Sequence, residues 1–123
     1  MEEKALLDQV SDSQRSLYVT STGLKMLLEK KEALIQLCEK FELERLYVFG
    51  SVLGHTFSEE SDYDFLIKFK DIPFERYTDN YFALHEALES LLNRQIDLLT
   101  ENSLSNKFFK DQITNSRLLL YAA

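Results

Sequence analysis

Two short apolar runs, joined through a Gly-Ser step and a polar spacer, constrain this chain more than any other feature. Leu46-Tyr47-Val48-Phe49 reads as a buried strand. Gly50-Ser51 ends it abruptly. Ten residues follow, and then Asp62-Tyr63-Asp64 leads directly into a second apolar run, Phe65-Leu66-Ile67. Residues i and i+2 of a strand point to one face, so Asp62 and Asp64 are expected to aim both carboxylates the same way. Converging carboxylates repel each other unless something positive lies between them. The usual occupant of such an oxygen-lined site is a hard divalent cation, Mg²⁺ or Mn²⁺.

The rest of the chain supplies elements to pack around these strands. Leu24, Leu27, Leu28, Leu34, Ile35, Cys38 and Phe41 recur at three- and four-residue intervals, with Glu and Lys between them, which predicts one amphipathic helix over 24–41. Cys38 falls on its apolar side and reads as a core thiol rather than a reactive one. Val52-Leu53-Gly54 is expected to begin a short helix. Its start would expose backbone N–H groups and the Ser51 hydroxyl to an anion such as a phosphate; a plain helix cap by Ser51 explains the same residues. A second strand is predicted over 63–69, a turn at Asp71-Ile72-Pro73, and a helix over 76–93 from the spacing of Tyr77, Tyr81, Leu84, Leu88 and Leu91. Gln95 to Leu99 predicts a third strand. A carboxylate in it, Asp97, costs free energy unless it is paired, coordinated or turned to solvent. Residues 101–106 read as a loop, 108–113 as a short helix and 118–121 as a closing strand. Residues 1–23 are weakly patterned and are expected to form an N-terminal extension, a short helix or linker, ahead of one domain over 24–123.

Composition limits what such a domain does. At 123 residues a single domain is expected, and 45% hydrophobic residues with 12% aromatics suit a packed core. A net charge of −7 argues against general nucleic-acid binding, although it leaves room for a nucleotide carried with its own metal. The single Cys38 forms no internal disulfide, no basic segment precedes an apolar core at the N-terminus, and no apolar run approaches the roughly 18 residues of a membrane span. A cytoplasmic protein is the expectation.

Taken together, a strand, a Gly-Ser cradle, an Asp-x-Asp pair and a third carboxylate on a later strand form a pattern. Three carboxylates on neighbouring strands can hold two Mg²⁺ ions for in-line displacement at phosphorus. Asp97 would serve the incoming hydroxyl, Asp62 and Asp64 both ions, and Ser51 with nearby N–H groups the outer phosphates. The quoted segments, with Arg94-Gln95-Ile96-Asp97-Leu98-Leu99-Thr100, resemble the minimal nucleotidyltransferase (MNT) branch of the DNA polymerase β-like nucleotidyltransferases. The likeness covers about residues 31–121. It implies an α/β (α+β) fold, a small mixed sheet with helices packed on one face. It implies ATP or another NTP with Mg²⁺, and transfer of a nucleoside monophosphate to a hydroxyl. Asp62, Asp64 and Asp97 would be the catalytic, metal-binding residues, and Gly50 and Ser51 would bind the nucleotide. Many MNT proteins resemble antitoxins paired with a HEPN-domain toxin, some of which adenylylate a toxin tyrosine. One departure is visible: an Arg-Gly common in the family a few residues after Gly-Ser is replaced by Gly54-His55, where His55 or Lys68 could substitute.

The small size leaves little room for an acceptor site, so the acceptor is expected to be a partner protein docking over the open site, in a hetero-oligomer if not also a homo-oligomer. Tyr77, Tyr81 and Phe82 could supply aromatic contacts, although Tyr77 and Tyr81 fit core-facing positions better. His85 reads as a surface or partner-contact residue. Two other functions compete: an antitoxin that masks its partner without catalysis, and a transferase for a small-molecule hydroxyl of the aminoglycoside type.

Overall fold

A computed structural model describes residues 5–9, 22–53, 57–58, 60–101 and 107–123. Four strands, β1 (Leu43–Phe49), β2 (Tyr63–Phe69), β3 (Ile96–Thr100) and β4 (Leu118–Ala122), form one sheet in the order β3-β2-β1-β4. β1 runs antiparallel to both β2 and β4, whereas β2 and β3 are parallel. The expected mixed α/β sheet is therefore present. A parallel pair needs a crossover that returns the chain to the same end of the sheet. The 19-residue helix α4 (Phe74–Leu92) provides it, entered through Pro73 and closed by Asn93 in the left-handed conformation. The remaining helices are α1 (Leu6–Gln9), α2 (Thr22–Glu29), α3 (Lys31–Lys40) and α5 (Lys107–Ser116). Among the described residues no helix is long and apolar enough to cross a membrane.

Strand alternation divides the sheet into two unlike faces. Leu46, Val48, Phe65, Ile67, Ile96, Leu98 and Leu120 point into the main core, where they meet Leu27, Leu28, Leu34, Cys38, Leu84 and Leu88 from α2, α3 and α4. Cys38 is buried there, and burial pushes its thiol up to about 12, so it stays a protonated core residue. Residues of opposite parity, Tyr47, Leu66 and Leu119, form a smaller cluster with Ala5 and Ile113. Helices α1 to α4 thus contribute to one face, while Ile113 of α5 packs on the other. Among the described residues, no helix covers that second face where β1 ends and β2 and β3 begin.

The stretch expected as one helix over 24–41 is two, broken at Lys30. Neither Gly nor Pro marks the break. Lys31 lies three residues after Leu28 and three before Leu34, so a continuous helix would aim it at the middle of the apolar stripe. A break just before it avoids that.

The described residues near the N-terminus are part of the packing. Leu7 is fully buried in the main core and Ala5 in the second cluster. α2 begins at Thr22, its Gly23 is buried, and the Tyr63 hydroxyl donates a 2.8 Å hydrogen bond to the Gly23 carbonyl. A Cβ at Gly23 would strike the side chains of Val52 and Phe57, so α2 seats closely against the end of β1 and the loop before β2. Residues 5–9 and 22–23 therefore share the core with the rest of the chain. Leu7→Ala is expected to destabilise the protein by about 3 kcal/mol in urea unfolding; a loss under about 0.5 kcal/mol, the level of a surface change, would detach residues 5–9 from the core.

Candidate active site

Parallel register places Asp64 of β2 beside Asp97 of β3, and antiparallel register places Phe49 of β1 on the other side of Asp64. Asp64 alternates with buried Tyr63 and Phe65, and Asp97 with buried Ile96 and Leu98. Both carboxylates therefore rise from the open face. They face each other closely enough to share a proton, and the Asp64 carboxyl is pushed up to about 6. Burial is the largest cause, followed by the hydrogen bond and the negative charge of Asp97, then the charge of Asp62.

Asp62 stands apart from the pair. It precedes Tyr63, the first residue of β2, so the alternation of the strand does not govern it, and it is exposed. Among the described residues no three Asp, Glu, His or Cys side chains are gathered closely enough to hold a metal ion. The expected convergence of three carboxylates is thus a close pair with a third within electrostatic reach. A half-buried carboxyl held against a like charge is nevertheless a donor set that a cation would relieve.

Gly50 sits in the 3₁₀ turn Gly50–Leu53 that follows β1. Its φ of +80° lies in the region open to glycine. A Cβ on it would run into the Asp64 carboxylate. The same residue therefore turns the chain and leaves room for Asp64. Ser51 follows Gly50 in this turn and is exposed. Gly54 and His55 lie outside the described residues. Lys68, considered above as a substitute phosphate ligand, is four residues along β2 from Asp64 and pairs with Glu44 at 3.0 Å. That separation is roughly 13 Å along a strand, so Lys68 belongs to the other end of the sheet.

Three residues around the site were not among those expected to act in it. Arg94 donates from one guanidinium nitrogen to the carbonyls of Ser58, at 3.1 Å, and Ser61, at 2.9 Å. Its guanidinium also lies over the rings of Phe57 and Tyr63, 4.8 and 5.2 Å from their centroids. It thereby fastens the segment that delivers Asp62, and only its place three residues before Asp97 could have drawn notice. Tyr81 and His85, successive turns of α4, reach around β3 to line a cavity of about 380 Å³ with Phe49, Asp64, Asp97 and Leu99. The Tyr81 hydroxyl donates to the Leu98 carbonyl at 2.5 Å. His85 faces Glu89 at 3.5 Å, and Glu89 in turn accepts from the Ile96 N–H at 3.3 Å. These contacts brace β3 on both sides of Asp97.

A mixed sheet with this carboxylate pair beside a Gly-Ser turn defines a nucleotidyl-transfer domain. The chain belongs to the polymerase β nucleotidyltransferase family, whose pattern matches residues 32–123. It is 32% identical over 90 residues to the protein adenylyltransferase MntA of Thermococcus cleftensis, covering 69% of this chain and 88% of that protein. It is also similar to the solved structure of a protein assigned as a minimal nucleotidyltransferase, with a TM-score of 0.65, 28% identity, and coverage of 81% of this chain and 98% of that one. The fold recurs in the complex of a tri-AMPylated HEPN toxin of Shewanella oneidensis with an MNT antitoxin, at a TM-score of 0.56 and 21% identity over 80% of this chain and 73% of that one.

The raised Asp64 value fixes a sign. Its folded value, about 6, lies above the ordinary 3.8, so the folded protein holds this proton more tightly than the unfolded chain does. The resulting stabilisation is complete below about pH 4 and is lost as pH rises through about 6. In metal-free buffer, the melting temperature of Asp64→Asn relative to the parent is expected to rise across pH 4–6 and level off above; a difference flat with pH would remove Asp64 as the titrating group. Arg94→Ala is expected to leave the sheet folded while exposing the 57–61 backbone to faster amide exchange, which hydrogen exchange would register.

Proposed function

We infer that this chain is a Mg²⁺-dependent protein adenylyltransferase. It transfers AMP from ATP to a hydroxyl of a partner protein, a HEPN-domain toxin, and so acts as its antitoxin. The observation that carries the reading is the Asp64–Asp97 pair on the open face, beside the Gly50 turn that makes room for it. The protein adenylyltransferase relative supports the transfer of AMP to protein, and the AMPylated toxin complex supports the choice of partner. ATP as donor fits a cytoplasmic site of action.

The reaction needs little covalent chemistry from the protein. The acceptor hydroxyl oxygen forms a bond to the α-phosphorus of ATP, the bond from that phosphorus to the bridging oxygen breaks, and pyrophosphate leaves in line with the attack. The hydroxyl proton passes to a carboxylate or to water. Asp97 is exposed toward the cavity and serves the acceptor side; Asp64 and Asp62 serve the triphosphate side. The Gly50 turn and the Ser51 hydroxyl hold the outer phosphates through hydrogen bonds. Two divalent cations, Mg²⁺ or Mn²⁺, bound by Asp62, Asp64 and Asp97 would neutralise the triphosphate and make the acceptor hydroxyl more acidic. Positioning and charge neutralisation account for the catalysis, while Tyr81 and Glu89 keep β3 in place.

Masking of the partner without transfer is the second reading, favoured by Gly54-His55 in place of the family's Arg-Gly. Incubation with α-labelled ATP, Mg²⁺ and the HEPN-domain partner separates the two. Label is expected on the partner, and Asp97→Asn is expected to lower its rate on the order of 100-fold or more without lowering the melting temperature. Tight binding to the partner with no label from any of the four NTPs would replace transfer by masking.

A further inference from the structure

The carboxylate cavity is not isolated. It shares Tyr81, Leu98 and Leu99 with an apolar cavity of about 440 Å³. That one shares Tyr77 and Thr100 with a third, of about 820 Å³, at the far end of β2. The three form one trough along the crevice between α4 and β3, with Asp64 and Asp97 at one end and Phe74 at the other.

Its wall on α4 is an unsatisfied aromatic stripe. Phe74 and Phe82 are the large apolar side chains most exposed among the described residues, at 87% and 64%. They lie eight residues apart on α4 with Thr78 between them, hence on one face. Exposed aromatics are normal singly, but two on one stripe beside a groove mark an interaction surface. The border of the trough is acidic on balance, although Lys70 and Lys68, the latter paired with Glu44, line its far end. Glu75, Asp79 and Glu86 are exposed on the adjoining face of α4, and Asp97 and Asp71 are exposed at the opposite rim. Arg76 on the same helix points away, to Glu42 at 3.1 Å.

Side chains of α4 interrupt the free edge of β3, which disfavours strand addition as the way the trough is filled. β3 is an edge strand, but two of its outward groups are taken: Glu89 accepts from the Ile96 N–H and Tyr81 donates to the Leu98 carbonyl. An occupant therefore binds mainly through side chains.

We propose that this trough is the docking surface for the acceptor protein, which presents apolar anchors flanked by basic side chains and lays its acceptor hydroxyl at the Asp97 end. The proposal rests on the transferase reading for the word acceptor; the docking surface itself is testable without catalysis. Charge complementarity selects a basic partner, and aromatic anchors at the centre of a charged rim are the usual anatomy of such an interface. The shared lining of the cavities places the bound partner's nearest side chains beside Asp97.

The test measures binding of the HEPN-domain partner by calorimetry, without nucleotide, alongside mant-ATP binding and labelled-AMP transfer. Phe74→Ser with Phe82→Ser is expected to raise the Kd for the partner at least tenfold, leaving mant-ATP affinity and the melting temperature unchanged. Glu75→Gln, Asp79→Gln and Glu86→Gln together are expected to flatten the salt dependence of the Kd. Transfer by the double Phe variant should fall through KM for the partner rather than kcat. An unchanged partner Kd in the double variant overturns the proposal, as does failure of the parent chain to bind the partner. A concentration-dependent dimer of the parent that the double variant abolishes would give the trough to a second copy of this chain and also overturns it. If the parent binds the partner through Phe74 and Phe82 but transfers no label, docking stands and the transferase reading fails.

Discussion

Parallel pairing of β2 with β3 sets Asp64 beside Asp97, and the candidate site depends on that register. The register is fixed from the opposite face. Phe65, Ile67, Ile96 and Leu98 are buried against α2, α3 and α4, so a slip of one residue in β3 would turn Leu98 to the open face and drive Asp97 into the core. Burying an unpaired carboxylate among Leu84 and Leu88 costs several kcal/mol, roughly what a small domain can spare. The helix-covered face thus holds the carboxylates on the other face in place. The bracing of β3 by Tyr81 and Glu89 adds to this where the sheet has no further strand.

Function and stability pull against each other at Asp64. Its proton is held more tightly in the folded state, so the ionised form needed for chemistry is the less stable one. Gly50 shows the same tension: positive φ and an absent Cβ make space for the carboxylate at the expense of a residue that costs more entropy to order. Such sites persist when their surroundings over-determine them. Here the surroundings include Tyr63, which anchors α2 through its hydroxyl, supports Arg94 through its ring, and separates Asp62 from Asp64 in the sequence.

Strands β1 and β2, the crossover helix and β3 were all legible because their apolar residues keep one period over their whole length. Asp97 was legible because a carboxylate in so short an apolar run demands a reason. The break at Lys30 was hidden, since α2 and α3 share the period of a single helix and no Gly or Pro intervenes. Leu7 was hidden because five described residues carry too little pattern to show what tertiary packing does with them. The roles of Arg94, Tyr81 and His85 depend on which loop and which strand edge lie nearby, and a linear spacing does not encode that. The offset of Asp62 from the pair depends on where β2 starts, which is the least readable property of any element.

Four of the positive side chains are engaged away from the carboxylate pair. Lys68 faces Glu44, Arg76 faces Glu42, Arg117 lies over the Tyr47 ring near Glu101, and Arg94 is spent on two carbonyls. Exposed pairs of this kind contribute little to stability, but they keep these side chains away from Asp64 and Asp97. A nucleoside triphosphate approaching the open face therefore meets carboxylates and an overall charge of −7. Backbone N–H groups at the Gly50 turn and one Ser51 hydroxyl offset only part of that repulsion. For the proposed reaction the remaining positive charge has to arrive with the nucleotide, as bound cations, and a basic partner docked beside Asp97 would weaken the same field. In the proposed reaction the nucleotide and its cations would offset each other's charge, and a basic partner would be drawn by whatever negative charge remains.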